Sequence, residues 1–126
     1  MRLLLDTNVL LWWEEGSPRL GAGTRAMIRA SESVYVSAAS AWEAEIKRAL
    51  GKLTFSGDVD EMIIANSFIE LPVHVRHASA LGSLAQHHRD PFDRMLVAQA
   101  LTEGCTLVTS DRHLARYGVP ILDARS

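Results

Sequence analysis

Asp6, Glu43, Asp93 and Asp111 are acidic residues far apart in sequence, at positions from which a folded chain could bring their side chains together. Carboxylate oxygens are ligands that Mg²⁺ prefers, and a few of them together with a substrate phosphate suffice to hold such an ion. An ion held in this way activates water and offsets the charge that develops on a phosphodiester as its leaving oxygen departs. The constellation therefore points to metal-assisted hydrolysis. No serine, histidine and aspartate order, nucleophilic cysteine context or glycine-rich phosphate loop competes with it.

Each acid also has a purely structural reading. Asp6 can cap a helix that starts near Thr7, and Asp111 can serve as an acid in the first turn of another. Glu43 fits a capping box with Ser40 in the run Ser-Ala-Trp-Glu, and it can pair with Lys47 one turn later. Asp90, directly before Pro91, is most simply an N-cap, which leaves Asp93 the better placed of the two as a ligand. Lys47, Arg89, Arg94 and Arg112 flank the acids and could hold phosphates, although surface cations are commonly just solvated. His74 and His77 have the spacing of a metal pair but no third partner nearby, and His87-His88 reads as loop, so no zinc site is expected.

The elements that must position these residues are legible as short apolar runs separated by helical spacing. Candidate strands are Leu3–Leu5, Val34–Val36, Ile69–Val73, Thr106–Val108 and Pro120–Leu122. Ser37 or Ser40 can cap a helix running through Trp42 and Ile46 to Leu50, with Gly51 following. Asp90-Pro91 opens another that runs to Gly104, and further helices are expected from Val75 to Gln86, from Asp58 to Phe68 and from Ser110-Asp111 to near Gly118. This alternation predicts an α/β fold: a mostly parallel central sheet with helices on both faces. Ligands bind such sheets beyond the carboxyl ends of the strands, which is where Asp6 and Asp111 fall; Asp93 lies in a first helical turn, and Glu43 projects from within a helix.

Bulk properties agree. A chain of 126 residues, 48% hydrophobic and 22% charged, has the size and composition of one domain spanning residues 1–126, able to bury a core without staples. The net charge of −2 does not advertise nucleic-acid binding, but with the four acids gathered at one site the remainder is weakly basic. The lone Cys105 excludes an internal disulfide framework, and neither a signal peptide nor an apolar run of roughly 20 residues is seen. The expectation is a cytoplasmic protein with no membrane association.

Taken together, LLLDTNVLLWW, VSAASAWEAEIKRALGKL, HRDPFDRMLVAQAL and LVTSDRHLARYGVPIL resemble the PIN-domain family over nearly the whole chain. The likeness is closest to the small VapC-type toxins of bacterial toxin–antitoxin pairs. It implies a Mg²⁺- or Mn²⁺-dependent endoribonuclease whose acids fall on Asp6, Glu43, Asp93 and Asp111, and whose in-line attack leaves a 5′-phosphate and a 3′-hydroxyl. Asn8 and Ser110 match polar residues that orient the ligands, and Asp90 is an addition seen in one branch. The resemblance further implies an RNA substrate, a cognate VapB-type antitoxin whose C-terminal segment blocks the groove, and a homodimer. Val9–Trp13 is apolar around almost its whole helix, which would suit a second cover, by core or by partner. A PIN-like module that binds metal or RNA without turnover is the alternative. A phosphatase with Asp6 as nucleophile is weaker, because Asn8 stands where such an enzyme places a second acid.

Overall fold

The computed structural model describes residues 1–86 and 89–126. The loop reading of His87-His88 lies outside the described residues. Five strands, β1 (Arg2–Leu5), β2 (Ser33–Ser37), β3 (Ile69–Leu71), β4 (Thr106–Thr109) and β5 (Ile121–Asp123), form one sheet ordered β3-β2-β1-β4-β5. Every pairing is parallel. The α/β architecture is as expected, and the sheet is wholly rather than mostly parallel.

Alternation along the strands divides the core in two, since successive side chains of a strand point to opposite faces. Leu3, Leu5, Val34, Val36 and Val108 face one side, whereas Leu4, Tyr35 and Leu107 face the other. The first side is covered by α1 (Thr7–Glu15), α2 (Ala22–Ala30) and α4 (Val59–Ala65), with Ala44 of α3 (Ala38–Ala49). The second is covered by α6 (Pro91–Glu103) and the 3-10 helix Arg112–Tyr117, and α5 (Val75–Ala80) packs on α6. From β1 the chain steps outward to β2 and β3, then crosses back to β4 on the other side of β1. Because parallel crossovers are right-handed, this reversal transfers the helices to the opposite face and opens a crevice between the carboxyl ends of β1 and β4.

Local chemistry sets most boundaries. Asp90 caps α6 through the amide of Phe92 at 2.9 Å, Pro91 supplies the preset first turn, and Gly104, at φ 69°, takes the left-handed position that ends the helix. Ser37 rather than Ser40 caps α3, accepting from the Ala39 amide at 3.0 Å. The segment expected to be helical from Val75 to Gln86 narrows to α5 and a 3-10 turn over Leu81–Ser83, and the Leu81 and Ala85 carbonyls instead receive the Arg94 guanidinium. The helix after Asp58 stops at Ala65, short of Phe68, because the Asn66 side chain bonds back to the Met62 carbonyl and Ser67 turns left-handed at φ 56°. Strand β3 ends before Pro72, which has no amide to donate.

The helix absent from the sequence reading is α2. Its N-cap is Gly21, with no side-chain bond, and the chain end packs over it: a Cβ on Gly21 would lie 2.4 Å from the Ser126 backbone. The amides of Gly23 and Thr24 donate to the Ser126 carbonyl at 3.0 and 3.2 Å, so distant backbone does the capping that a local side chain usually performs.

His77 is fully buried and joins α5 to α6. Its Nδ1 accepts from the His74 amide at 2.9 Å, which leaves Nε2–H to donate to Glu103 at 2.8 Å. The Arg76 guanidinium, and then the His77 ring, hold the Glu103 carboxyl down at about 2, well below its ordinary value. Glu103→Ala strips the buried ring of its partner and is expected to cost about 1–2 kcal/mol in urea unfolding at pH 7. The contribution is present in full above pH 4.5 and is lost as pH falls toward 2, so wild type and variant should converge in acid.

Candidate active site

Asp6 is the residue immediately beyond β1, at the crevice. It is only 7% exposed, yet it is a carboxylate. One oxygen accepts from the Val9 amide at 2.8 Å, capping α1, and the Thr109 hydroxyl bonds to the same carboxylate. Thr109 in turn accepts from the Asp111 amide at 3.1 Å, so the ends of β1 and β4 are stitched through one hydroxyl. Burial foremost, and then the charges of Glu43 and Asp111, push the Asp6 pKa up to about 6. The capping reading and the functional reading of Asp6 are thus compatible.

Glu43 is 4% exposed on the inner face of α3. Its Oε1 accepts from the Thr7 hydroxyl at 2.6 Å, and its Oε2 is paired with Lys47 Nζ at 2.5 Å. The pairing expected from the i+4 spacing is present. The capping box with Ser40 is not: Ser40 lies inside α3, and its buried Oγ has no hydrogen-bond partner among the described residues. The reason is that the helix starts a turn earlier, at Ser37, which leaves Glu43 in the helix interior facing the crevice.

Helix α6 is held against α3 at both ends of the contact. Ser37 Oγ donates to Gln99 Oε1 at 2.5 Å in the buried layer, and the Trp42 and Phe92 rings pack edge to face at 5.2 Å. Asp90 and Asp93, half-buried at the start of α6, are thereby brought close enough to Lys47 that, after the hydrogen bond Lys47 donates to Glu43, their charges also raise the lysine's pKa. Asp111 is half-buried and caps the 3-10 helix through the His113 amide at 3.0 Å. Exposed Asn8 and half-buried Ser110 line a common cleft at this edge.

The flanking cations are placed differently from one another. Lys47 is bound into the acid cluster, and Arg89 is exposed. Arg112 is exposed but lies 3.3 Å from Asp123. Arg94 donates to the Ala85 and Leu81 carbonyls and to the Tyr117 hydroxyl, so its guanidinium braces α6 against the preceding segment. Trp12 and Trp13 are both half-buried, whereas Trp42 is 65% exposed beside an apolar groove lined by Val73, Leu81, Phe92 and Met95.

The donor set is entirely oxygen, partly desolvated and mutually repelling, which is the chemistry that suits a hard divalent cation. As the side chains stand, no group of three or more Asp, Glu, His or Cys residues is arranged to hold a metal ion among the described residues. Both Glu43 oxygens are turned to Thr7 and Lys47, and one Asp111 oxygen is turned to its own helix. Thr7 and Thr109 were not singled out in the sequence. The signal was there in their positions, one directly after Asp6 and the other two residues before Asp111.

A family model described as the PIN domain matches residues 3–120. The chain is 30% identical to Ribonuclease VapC22 of Mycobacterium tuberculosis, over 94% of this chain and 93% of that protein. Among solved structures it superposes on DNA-bound VapBC from Salmonella typhimurium with a TM-score of 0.71 at 20% identity, covering 98% of each chain. It also superposes on VapBC-1 from nontypeable Haemophilus influenzae with a TM-score of 0.68 at 18% identity, covering all of both chains.

The buried Asp6 carboxyl has a consequence for stability. The folded chain takes up its proton near pH 6, the unfolded chain only near pH 3.8, so between these values the folded state holds more protons and stability falls as pH rises. In EDTA the wild type is expected to lose on the order of 2 kcal/mol from this group between pH 4 and 6, at about 1.4 kcal/mol per pKa unit over the full titration. Asp6→Asn should flatten that part of the profile and melt higher than wild type at pH 7.5. A wild-type melting curve that is flat or rises across the window would show that Asp6 is not buried as a charge.

Proposed function

The chain belongs to the PIN-domain family, and from that premise we propose that it is a divalent-metal-dependent endoribonuclease, the VapC-type toxin of a toxin–antitoxin pair. The observation that carries this reading is the burial of Asp6 at the β1–β4 crevice within electrostatic range of Glu43 and Asp111. Confining like charges out of water destabilises a protein unless a cation offsets them, so their presence there argues for a site rather than for packing.

Asp6 and Asp93 are the principal ligands in this proposal, Glu43 binds the metal or activates water, and Asp111 completes the set or holds a second ion. Mg²⁺ or Mn²⁺, when bound, supplies charge stabilisation for the phosphodiester and acidifies water. Thr109 and Thr7 keep the Asp6 and Glu43 carboxylates oriented, Asn8 and Ser110 line the approach, and Asp90 holds the start of α6 and thereby Asp93. Lys47 and exposed Arg89 and Arg112 are the phosphate contacts in this scheme, with Arg94 acting as the brace that sets Asp93. Hydrolysis proceeds by in-line attack of water and leaves a 5′-phosphate and a 3′-hydroxyl. The whole chain, residues 1–126, acts as one catalytic unit in the cytoplasm; no helix among the described residues is long and apolar enough to cross a membrane.

Two protein partners belong to the proposal. A cognate VapB-type antitoxin is supported by the VapBC complexes to which the fold is similar. A second copy of the chain is supported by exposed Trp42 and its apolar groove, which would otherwise face water.

Purified protein is expected to cleave RNA in Mg²⁺ or Mn²⁺ and to stop in EDTA. Asp6→Asn and Asp93→Asn should each lower the cleavage rate by on the order of 100-fold or more, with the fold retained, because each removes ligand charge at nearly constant volume. Asp90→Asn should stay within about threefold, since asparagine caps a helix nearly as well as aspartate. RNA left intact under every metal condition would identify a binding module instead, and equal losses at Asp90 and Asp93 would overturn the division between them.

A further inference from the structure

Beside the acid centre lies a cleft of about 420 Å³ lined by Asn8, Trp12, Arg19, Ser110 and Arg125. Two of its lining residues adjoin the acids in sequence, Asn8 two residues past Asp6 and Ser110 directly before Asp111. A second cleft of about 430 Å³ shares Ser110 and Arg125 with it and continues past Asp111, Arg112 and His113. The two make one trough along the crevice edge.

The walls of the first cleft combine an aromatic face with cations. Trp12 stands one helical turn after Asn8, so both project from the same side of α1. Part of its ring packs on the core, which fixes it, and the rest lines the cleft. The Arg19 guanidinium lies over the Trp12 ring, 6.0 Å from its centroid, so cation and indole share one face of the cleft. Arg125, exposed, also lines the cleft, and its backbone amide donates to the Asp123 carboxylate at 2.9 Å. Among the described residues neither Arg19 nor Arg125 has a carboxylate within ion-pair distance, in contrast to Arg112, which is paired with Asp123. A rigid indole face flanked by guanidinium groups without counter-ions is what a base and its phosphate require: stacking accepts any base, and the cations track the backbone.

We propose that this cleft is a nucleotide subsite for single-stranded RNA, in which Trp12 stacks a base next to the scissile phosphate and Arg19 and Arg125 hold that nucleotide's phosphate. The proposal rests on the ribonuclease reading above. A stacked base can enter only as an unpaired nucleotide, so the subsite selects unpaired segments and tolerates base identity.

The test separates binding from cleavage. Labelled oligoadenylate is titrated by fluorescence anisotropy into the full chain in EDTA, and quenching is followed in a chain whose only tryptophan is Trp12 (Trp13→Phe, Trp42→Phe). Oligoadenylate should quench Trp12, and inorganic polyphosphate of equal charge should not. Trp12→Ala should weaken binding by about tenfold or more while Trp12→Phe retains most of it. Arg19→Ala and Arg125→Ala, both exposed substitutions that leave the core untouched, should each weaken binding and lower the salt slope by about one ion. Unchanged affinity in Trp12→Ala and both arginine variants, or equal quenching by polyphosphate, overturns the subsite, as does an acidic peptide displacing polyphosphate but not oligoadenylate. Wild-type binding with no cleavage in Mg²⁺ or Mn²⁺ would sink the ribonuclease reading and leave the subsite standing; cleavage with Trp12→Ala indistinguishable from wild type would do the reverse.

Discussion

Burial of the Asp6 carboxylate at the end of the central strand is the constraint around which the rest of the molecule is arranged. A carboxylate taken out of water needs hydrogen bonds and counter-charge, and next to other acids it needs them more. The chain supplies the Val9 amide, the Thr109 hydroxyl and, one residue on, a Thr7 hydroxyl that engages the neighbouring Glu43. Counter-charge comes from Lys47, itself drawn toward Glu43, Asp90 and Asp93. These contacts moderate the cost of burial and the repulsion without abolishing either, and the Asp6 pKa stays raised, by burial first and the neighbouring acids second. Stability is thus given up at the proposed catalytic centre, a common relation between active sites and folds.

That arrangement is possible because of how the sheet is wound. Reversal of strand order at β1 leaves a crevice whose two walls begin with Asp6 and Asp111, and it places α3 and α6 side by side above it. The Ser37–Gln99 bond and the Trp42–Phe92 contact then set the spacing of those helices, and so the reach of Glu43 and Asp93. Neither contact touches the acids. Each fixes a helix on which an acid rides, which is how a loop-edge site gains rigidity from the core beneath it.

The trough proposed as a nucleotide subsite extends the same logic. Its aromatic and cationic walls come from α1, the segment after it and the end of the chain, elements that meet only because residues 124–126 dock over the start of α2. The acid cluster and the cationic trough lie side by side. A polyanion bound as proposed would follow the trough and meet concentrated negative charge only at its inner edge, where a divalent cation would reverse the sign.

Much of this was legible in the sequence. The strand–helix alternation, the Asp90-Pro91 and Gly104 boundaries and the strand-end positions of Asp6 and Asp111 are consequences of local rules: period, capping chemistry and the missing amide of proline. The Lys47–Glu43 pair follows from helical spacing alone. Other features depended on residues distant in sequence. Helix α2 escaped notice because its N-terminus is capped by the backbone of residue 126, and the Ser40 capping box failed because Ser37 was already satisfying the start of α3. That the Arg94 guanidinium braces α6, and that Trp42 stays exposed while Trp12 is half-buried, turned on which carbonyls and rings lay across the gap. Sequence alone determined which residue types were available and on which element each would ride, because those depend on neighbours a few positions away. Tertiary structure decided which of them share a dielectric environment, because charge interaction and burial depend on distance through space.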